Sequence, residues 1–296
     1  MQMLPTLSVL QLWPALETIR MAQQLEAYGY HRLWLSEHHD QAAFSGSPLI
    51  LTAIIAGITQ RMRIGPAGVL LPYHSPLKVA EDVRMLELAF PGRIDLGIAR
   101  ATERDPGIAE ALLDGRLPES AADGHAERVR KLLFFLGREG DGGADPARVA
   151  VPREAVSRAE VWILGTSEAS AQTAARLGAS FAFSRIINPS DPAMGEAIAA
   201  YRRFFTAAVQ RQPQVCVAVA GLCSETDAVA EASLPDWARE RRAPLVVGSG
   251  VTCRRQLRDL AERYGIDEFA FVDLSLTEKD RLTSYRILAD ACARPP

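Results

Sequence analysis

The sequence predicts an α/β fold, a (β/α)8 barrel of the TIM type with an insertion after the fourth strand. Three observations carry that reading. Short apolar runs alternate with amphipathic helices along nearly the whole chain. Eight such units fit into 296 residues, which favours a closed barrel over an open doubly wound sheet. Runs such as 62–71 are apolar at nearly every position, as strands covered on both faces must be.

The elements follow in order. Residues 7–12 form the first strand, and 14–29 a helix whose buried face is drawn from Leu16, Ile19, Ala22, Leu25 and Tyr28. The second strand is 33–36, followed by a helix over 48–60. The third is 62–71. Ser75-Pro76 then opens a helix, with a capping serine and a proline in the first turn. The fourth strand is 94–99. Residues 101–148 are less regular, with one helix near 122–136 and an exposed Gly/Asp-rich loop at 137–144. Alternation resumes with a strand at 161–164, a helix at 167–177, a strand at 181–183 and a helix near 192–210. After these come a strand at 215–222, a helix near 227–234, a short arm to Pro244, and 245–248 leading into a helix over 252–264. The eighth strand is 269–272 and the last helix 278–291. No linker composition divides the chain, so residues 1–296 read as one domain.

Composition removes several function classes. The chain is 48% hydrophobic and 23% charged, with a net charge of −3, so it has no basic excess to neutralise nucleic-acid phosphates. No run of about 20 apolar residues could span a membrane, and the N-terminus lacks the basic and apolar regions of a signal peptide. Four sparse cysteines (Cys216, Cys223, Cys253 and Cys292) form no Cys-x-x-Cys pair. A cytoplasmic protein with reduced thiols and no metal site is expected.

In a barrel, chemistry gathers at the C-terminal strand ends. After strand two comes Ser36-Glu37-His38-His39-Asp40, suited to acid–base work or polar positioning, or to a hydrogen-bonded polar loop. After strand three, Pro66-Ala67-Gly68 is small enough for a planar ligand to lie against the backbone, or for ordinary barrel packing. Arg100 ends strand four and suits a phosphate or carboxylate, or a salt bridge to Glu103 or Asp105. After strand five, a helix opens with the hydroxyls of Thr166, Ser167 and Ser170: a phosphate site, or simply a cap. Gly248-Ser249-Gly250 is a second, weaker anion candidate.

Four stretches in order carry a resemblance: Leu33-Trp34-Leu35-Ser36-Glu37-His38-His39; Gly68 through Pro72 and on to Asp82; Pro91-Gly92-Arg93-Ile94-Asp95-Leu96-Gly97; and Leu164-Gly165-Thr166-Ser167 through Gly178. The chain resembles the bacterial luciferase-like, flavin-dependent monooxygenases over roughly residues 4–290. The resemblance implies reduced FMN, O2 and a small organic substrate, with flavin reduced by a separate NAD(P)H-dependent reductase. It implies that Arg100, Thr166, Ser167 and Ser170 hold the flavin phosphate. Ala67 and Gly68 would lie under the ring, with a non-proline cis peptide expected at Pro66–Ala67. It implies His38 as the active-site histidine, flanked by Glu37 and His39. It also implies a homodimer through the second and third helices, where Ala53, Ala56, Gly57 and Ala80 are small.

Three departures stand out. Ala99 replaces a cysteine of the light-emitting subunit, and 224–244 is short beside the luciferase lid; both point away from light emission. Arg185 replaces an apolar aromatic and could meet flavin, meet an acidic substrate or obstruct the site. An F420-dependent oxidoreductase and a non-catalytic flavin-binding or partner subunit are the alternatives.

Overall fold

Each apolar run extends as a strand because its alternate side chains find two dry faces, one inside the sheet and one beneath the helices. The computed structural model describes residues 5–39, 45–100, 105–114, 124–137, 159–206, 212–240 and 244–293. Ten strands result: β1 (Thr6–Gln11), β2 (Arg32–Leu35), β3 (Arg63–Pro66), β4 (Val69–Leu70), β5 (Asp95–Ala99), β6 (Glu160–Gly165), β7 (Ser180–Ser184), β8 (Val215–Ser224), β9 (Val246–Ser249) and β10 (Glu268–Asp273). Every pairing is parallel, and the sheet runs β3-β2-β1-β10-β8-β7-β6-β5-β4. A single bridge, Ile64 to Ile94, brings the two ends together, so the sheet is nearly closed into a barrel. Counting β3 and β4 as one stave gives the eight expected; β9 adds outside the ring, on the C-terminal stretch of β8.

The helices lie around the barrel: α1 (Ala15–Ala27), α2 (Pro48–Ile58), α3 (Pro76–Ala89), α4 (Pro106–Leu113), α5 (His125–Phe135), α6 (Glu168–Arg176), α7 (Asp191–Phe204), α8 (Asp227–Ser233), α9 (Asp236–Glu240), α10 (Gly250–Tyr264) and α11 (Glu278–Cys292). Ser75 caps α3 as expected, accepting from the Lys78 N–H. Two helices were not foreseen, α4 in the insertion and α9 in the arm before Pro244. Both are short, and a short helix presents too few turns for periodicity to reveal. The Gly/Asp-rich stretch 137–144 lies, beyond Gly137, outside the described residues.

The expected third strand is interrupted. β3 stops at Pro66 and β4 resumes at Val69, with the cis peptide between Ala67 and Gly68 rather than at Pro66–Ala67. The offset has a local reason. The Ala67 N–H is still in the ladder, donating to the Leu35 carbonyl at 2.7 Å. Gly68 then passes the β5 backbone so closely that a Cβ would meet Gly97, Ile98 and Ala99 at 3.0 Å.

Two cores result. The outer one packs strands against helices; Phe181 and Tyr201, for example, stack with centroids 5.6 Å apart. The inner one fills the barrel in layers. At its N-terminal end sits Arg32, 1% exposed, bonded to Asp95 at 2.6 Å, to Glu160 at 2.6 Å and to Glu268. Arg63 also binds Asp95 at 2.6 Å, and the Ser8 hydroxyl donates to Glu268 at 2.5 Å. Above the guanidinium lie Trp34 and Trp162, each ring centroid 4.9 Å from it. Burial opposes the charge of Arg32, but the three carboxylates outweigh burial and raise its pKa.

Arg32→Leu would leave Asp95 and Glu268 buried without that partner. It is expected to cost about 3–5 kcal/mol in urea unfolding. An unchanged midpoint would show that the remaining contacts, Arg63 on Asp95 and Ser8 on Glu268, satisfy them.

Candidate functional site

The C-terminal strand ends form one mouth, and its polar groups come from β2, the β3/β4 stave, β5 and β6. On β2, Gln11 of the neighbouring strand accepts from both the Ser36 N–H (3.1 Å) and the Ser36 hydroxyl (3.0 Å), fixing where the strand ends. Glu37 follows, 4% exposed. Its Oε1 meets His39 Nε2 at 3.0 Å and His74 Nε2 at 2.6 Å, and its Oε2 accepts from the Leu70 N–H at 2.8 Å. Burial pushes the Glu37 carboxyl up, but His74, His39 and the Leu70 amide outweigh it and hold the pKa below the ordinary value. A carboxylate only accepts, so both imidazoles donate from Nε2 and keep Nδ1 free to accept when neutral. Glu37 is therefore a clamp joining the ends of β2 and β4. His38 is half-buried beside it, its N–H donating to the Ser45 carbonyl at 3.0 Å.

Ala67 belongs to the cluster of side chains inside the barrel, and Gly68 is buried beside it. Strand alternation and register place Gly65, Gly97, Ala182, Ala218 and Ala270 on the same inner face. Leu10 and Leu164 share that interior with the two tryptophans.

Arg100 follows β5 directly and is exposed, with no hydrogen bond or ion pair among the described residues. The expected alternatives, Glu103 and Asp105, divide: Glu103 lies outside the described residues, and the Asp105 carboxylate caps α4 at Gly107 and Ile108. Ile98 pairs with Ile163, so Arg100 and Gly165 leave adjacent strands at the same level. There α6 begins. Ser167 and Ser170 form a reciprocal capping box, with the Ser170 hydroxyl also donating to the Ser167 carbonyl at 2.7 Å. Gly165 must be glycine, because Ser170 Oγ occupies the space of a Cβ. Thr166 is held from the next strand by Asn188 Nδ2, which donates to its carbonyl at 3.0 Å.

Sequence reasoning missed His125 at the start of α5. It is 7% exposed, and its Nδ1 is buried without a partner. Burial first, then the charges of Arg100 and Arg128, lower its pKa to about 4. Arg128, one turn on, donates to the carbonyls of Leu71 (3.2 Å) and His74 (2.7 Å), binding α5 over the β4 side of the mouth. A lone histidine opening a helix in an irregular insertion gave little signal of this. His74 was equally hidden, because its partner Glu37 lies on another stave.

Two expected alternatives close. Arg185 is buried and bonded to Asp191 at 2.8 Å and to the Pro244 carbonyl, so it neither obstructs the mouth nor lies free. At Gly248-Ser249-Gly250 the helix N-terminus already holds an anion of the protein's own: Asp227 accepts from the Ser249 N–H at 2.6 Å and the Thr252 hydroxyl at 3.1 Å. Among the described residues no cluster of His, Cys, Asp and Glu could hold a metal ion, and no helix is long and apolar enough to cross a membrane.

A polar mouth on a nearly closed parallel barrel defines a class, the barrel enzymes that work at their C-terminal face. Residues 11–282 match the luciferase-like monooxygenase family model, and the chain belongs to that family. It is 32% identical to the uncharacterized protein YwcH of Bacillus subtilis, over 94% of this chain and 93% of that protein. The structure is similar to apo-MsnO8, with a TM-score of 0.86 and 31% identity over 97% of this chain and 98% of the other. Two more distant structures share the fold alone. The oxygenating constituent of 3,6-diketocamphane monooxygenase from the CAM plasmid of Pseudomonas putida, in complex with FMN, has a TM-score of 0.74 at 18% identity, over 97% and 96% of the chains. An F420-dependent secondary alcohol dehydrogenase has 0.74 at 14%, over 99% and 100%.

The Glu37 clamp has a definite pH dependence. Its folded pKa lies below the 4.5 of an ordinary glutamate, so the stabilisation is present above that value and lost as pH falls through the lower one. Glu37→Gln is expected to cost about 1–3 kcal/mol in urea unfolding at neutral pH. The difference from the parent chain should shrink below about pH 4; a constant difference would mean that charge is not what holds His39 and His74.

Proposed function

We propose that the protein is an FMN-dependent monooxygenase that receives reduced flavin from a separate NAD(P)H-dependent reductase and oxidises a small organic substrate with O2. The observation that carries this reading is one cluster: Arg100, without a partner among the described residues, the adjacent N-terminus of α6 and the His125 Nδ1, likewise without a partner among them. These suit an anion, and the small residues Ala67 and Gly68 at the same end suit a flat ring. Bound reduced FMN would supply the electrons that activate O2.

The chain's own residues do the rest. Arg100 and the amides opening α6 hold the phosphate, with Thr166, Ser167 and Ser170 able to reorient their hydroxyls toward it. Ala67 and Gly68 form the floor under the ring, since no side chain beyond a methyl projects from them. His38 holds or moves a proton at the reacting edge, and Glu37 fixes His39 and His74 around it. The Arg128 anchor of α5 keeps water from that side. Ala99 and the short 224–244 stretch argue against light emission. Arg185, tied to Asp191, no longer argues for a non-catalytic subunit.

The homodimer belongs to the same proposal, with a changed surface. Of the four small residues, Gly57 is exposed and Ala53 half-buried, but Ala56 and Ala80 are 1% and 0% exposed within their own barrel. The outer faces instead present Ile50 and Ile54 on α2 and Met85 and Leu88 on α3, at 64%, 43%, 63% and 38% exposure. Sedimentation is expected to give a dimer for the parent chain and a monomer for Ile54→Glu with Met85→Glu.

Anaerobic titration with reduced FMN and reduced F420 tests the cofactor. FMN should bind, and Arg100→Ala should weaken it roughly 10–100-fold while leaving riboflavin, which has no phosphate, unaffected. His38→Ala should keep flavin affinity and lose turnover. Binding of F420 without FMN would instead make the chain an F420-dependent oxidoreductase.

A further inference from the structure

The four cysteines are free thiols, and two of them touch. Cys223 lies near the end of β8, opposite Gly248 in the register with β9. Its N–H donates to the Ser284 hydroxyl at 2.9 Å, which ties that stretch to α11. Cys253 closes the first turn of α10, and its thiol is shared between the Gly248 carbonyl at 3.5 Å and the Leu222 carbonyl at 3.9 Å. The Cys223 thiol is hydrogen-bonded to Cys253. That contact first, then burial, pushes the Cys223 thiol well up, so Cys223 keeps its proton and Cys253 accepts it. The two side chains are 1% and 0% exposed. The other two cysteines are placed differently. Cys216 lies inside the barrel with Trp34 and Trp162. Cys292 is half-buried at the end of α11, where burial pushes its thiol up to about 11.

A single buried cysteine fills space as a small apolar residue does. Two sulfurs in hydrogen-bond contact, on different elements, are also one bond short of a crosslink. Closing from that contact to about 2 Å is within the reach of side-chain rotation. The first turn of α10 stands at the C-terminal end of the barrel, where Val251 is exposed and Thr252 half-buried, so solvent is one residue from Cys253. Hydrogen peroxide is uncharged and little larger than water, and entering a buried site costs it far less than it would cost an ion.

We infer that Cys223 and Cys253 form a peroxide-responsive modification site that closes to a reversible disulfide joining β8 to α10. The Cys253 sulfur attacks one oxygen of hydrogen peroxide and the O–O bond breaks. The other oxygen leaves as water with the Cys253 thiol proton, and Cys253 becomes a sulfenic acid. The Cys223 sulfur then displaces that hydroxyl, which takes the Cys223 proton and leaves as a second water. Two electrons pass from the two thiols to the peroxide. The crosslink encloses α8, α9 and β9, which already pack between the two cysteines. It also stops the oxidation at a stage that a thiol can reverse, before Cys253 reaches the sulfinic acid. The inference goes beyond the oxygenase reading and does not depend on it.

The test adds millimolar hydrogen peroxide to the purified full chain without flavin, then alkylates the remaining thiols in denaturant. Two of the four thiols should escape alkylation, and before alkylation the chain should be lighter by about 2 Da. Dithiothreitol should restore all four. Peptide mapping should join the segment of Cys223 to that of Cys253, and Cys216→Ala should leave this link in place. Cys223→Ala removes the resolving thiol, so Cys253 should gain about 32 Da as a sulfinic acid that dithiothreitol does not reverse. Circular dichroism checks that the variants fold, and the result on the parent chain stands without them. Four alkylated thiols after peroxide, a link to Cys292 or between two chains, or Cys253 over-oxidised as fast in the parent as in Cys223→Ala would each overturn the inference.

Discussion

The buried guanidinium of Arg32 is the constraint on which the rest of the barrel depends. It draws carboxylates from the starts of β5, β6 and β10 to one point, and Arg63 brings in the start of β3. A one-residue slip in any of these staves would turn its charged side chain from the interior to the helix layer. There it would be buried without a partner, at a cost of several kcal/mol. The network therefore acts as a register lock more than as a source of net stability, since a well-packed apolar plug could serve as well energetically. Its position at the N-terminal end also settles where bulk can go. Two tryptophans stack on the guanidinium, and Leu10, Ala67, Leu164, Ala182 and Ala218 pack in the same interior. The floor is full, so the space for a ligand is at the C-terminal end.

The mouth is organised by a second carboxylate working in the opposite way. Glu37 is buried and ionised because three donors converge on it, and through them it fixes His39, His74 and the Leu70 amide of β4. β5 passes so near Gly68 that a Cβ there would crowd its backbone. The break between β3 and β4 thus belongs to the site, since it turns the chain so that Leu70 faces Glu37 while Ala67 still faces the barrel interior. Arg128 repeats the logic from outside, using the carbonyls of Leu71 and His74 to seat α5 and with it His125.

Much of this was legible in the sequence, and the parts that were not share a cause. Eight strands, most helix boundaries and the Ser75 cap follow from local rules of periodicity and capping. Arg100 could be read because it directly follows an apolar run, and the Ser167–Ser170 pair because hydroxyls at that spacing open helices. The Arg32 network was not read as a network, although the charged residues opening strands at Arg32, Arg63, Asp95, Glu160 and Glu268 were in plain view. Partnership across 236 residues, as between Arg32 and Glu268, leaves no local mark. The same holds for Glu37, placed in sequence beside a candidate histidine and in space between two others. The cis bond was misplaced by one residue because its position depends on how near β5 lies, which no local pattern encodes.

Two helix N-termini in this fold show why an anion site cannot be read from a helix start alone. Both α6 and α10 follow a Gly-containing turn, and both are capped by a serine. At α10, Asp227 reaches across from α8 and fills the position with the protein's own carboxylate, so the positive end of the helix is neutralised from within. At α6 no carboxylate does so among the described residues. The neighbouring strand supplies Arg100 instead, and α5 supplies a buried imidazole with an idle nitrogen. What separates a structural cap from a ligand site is whether one of the protein's own carboxylates accepts from the opening amides: Asp227 does so at α10, whereas Glu168 in the first turn of α6 accepts from Gln172 instead.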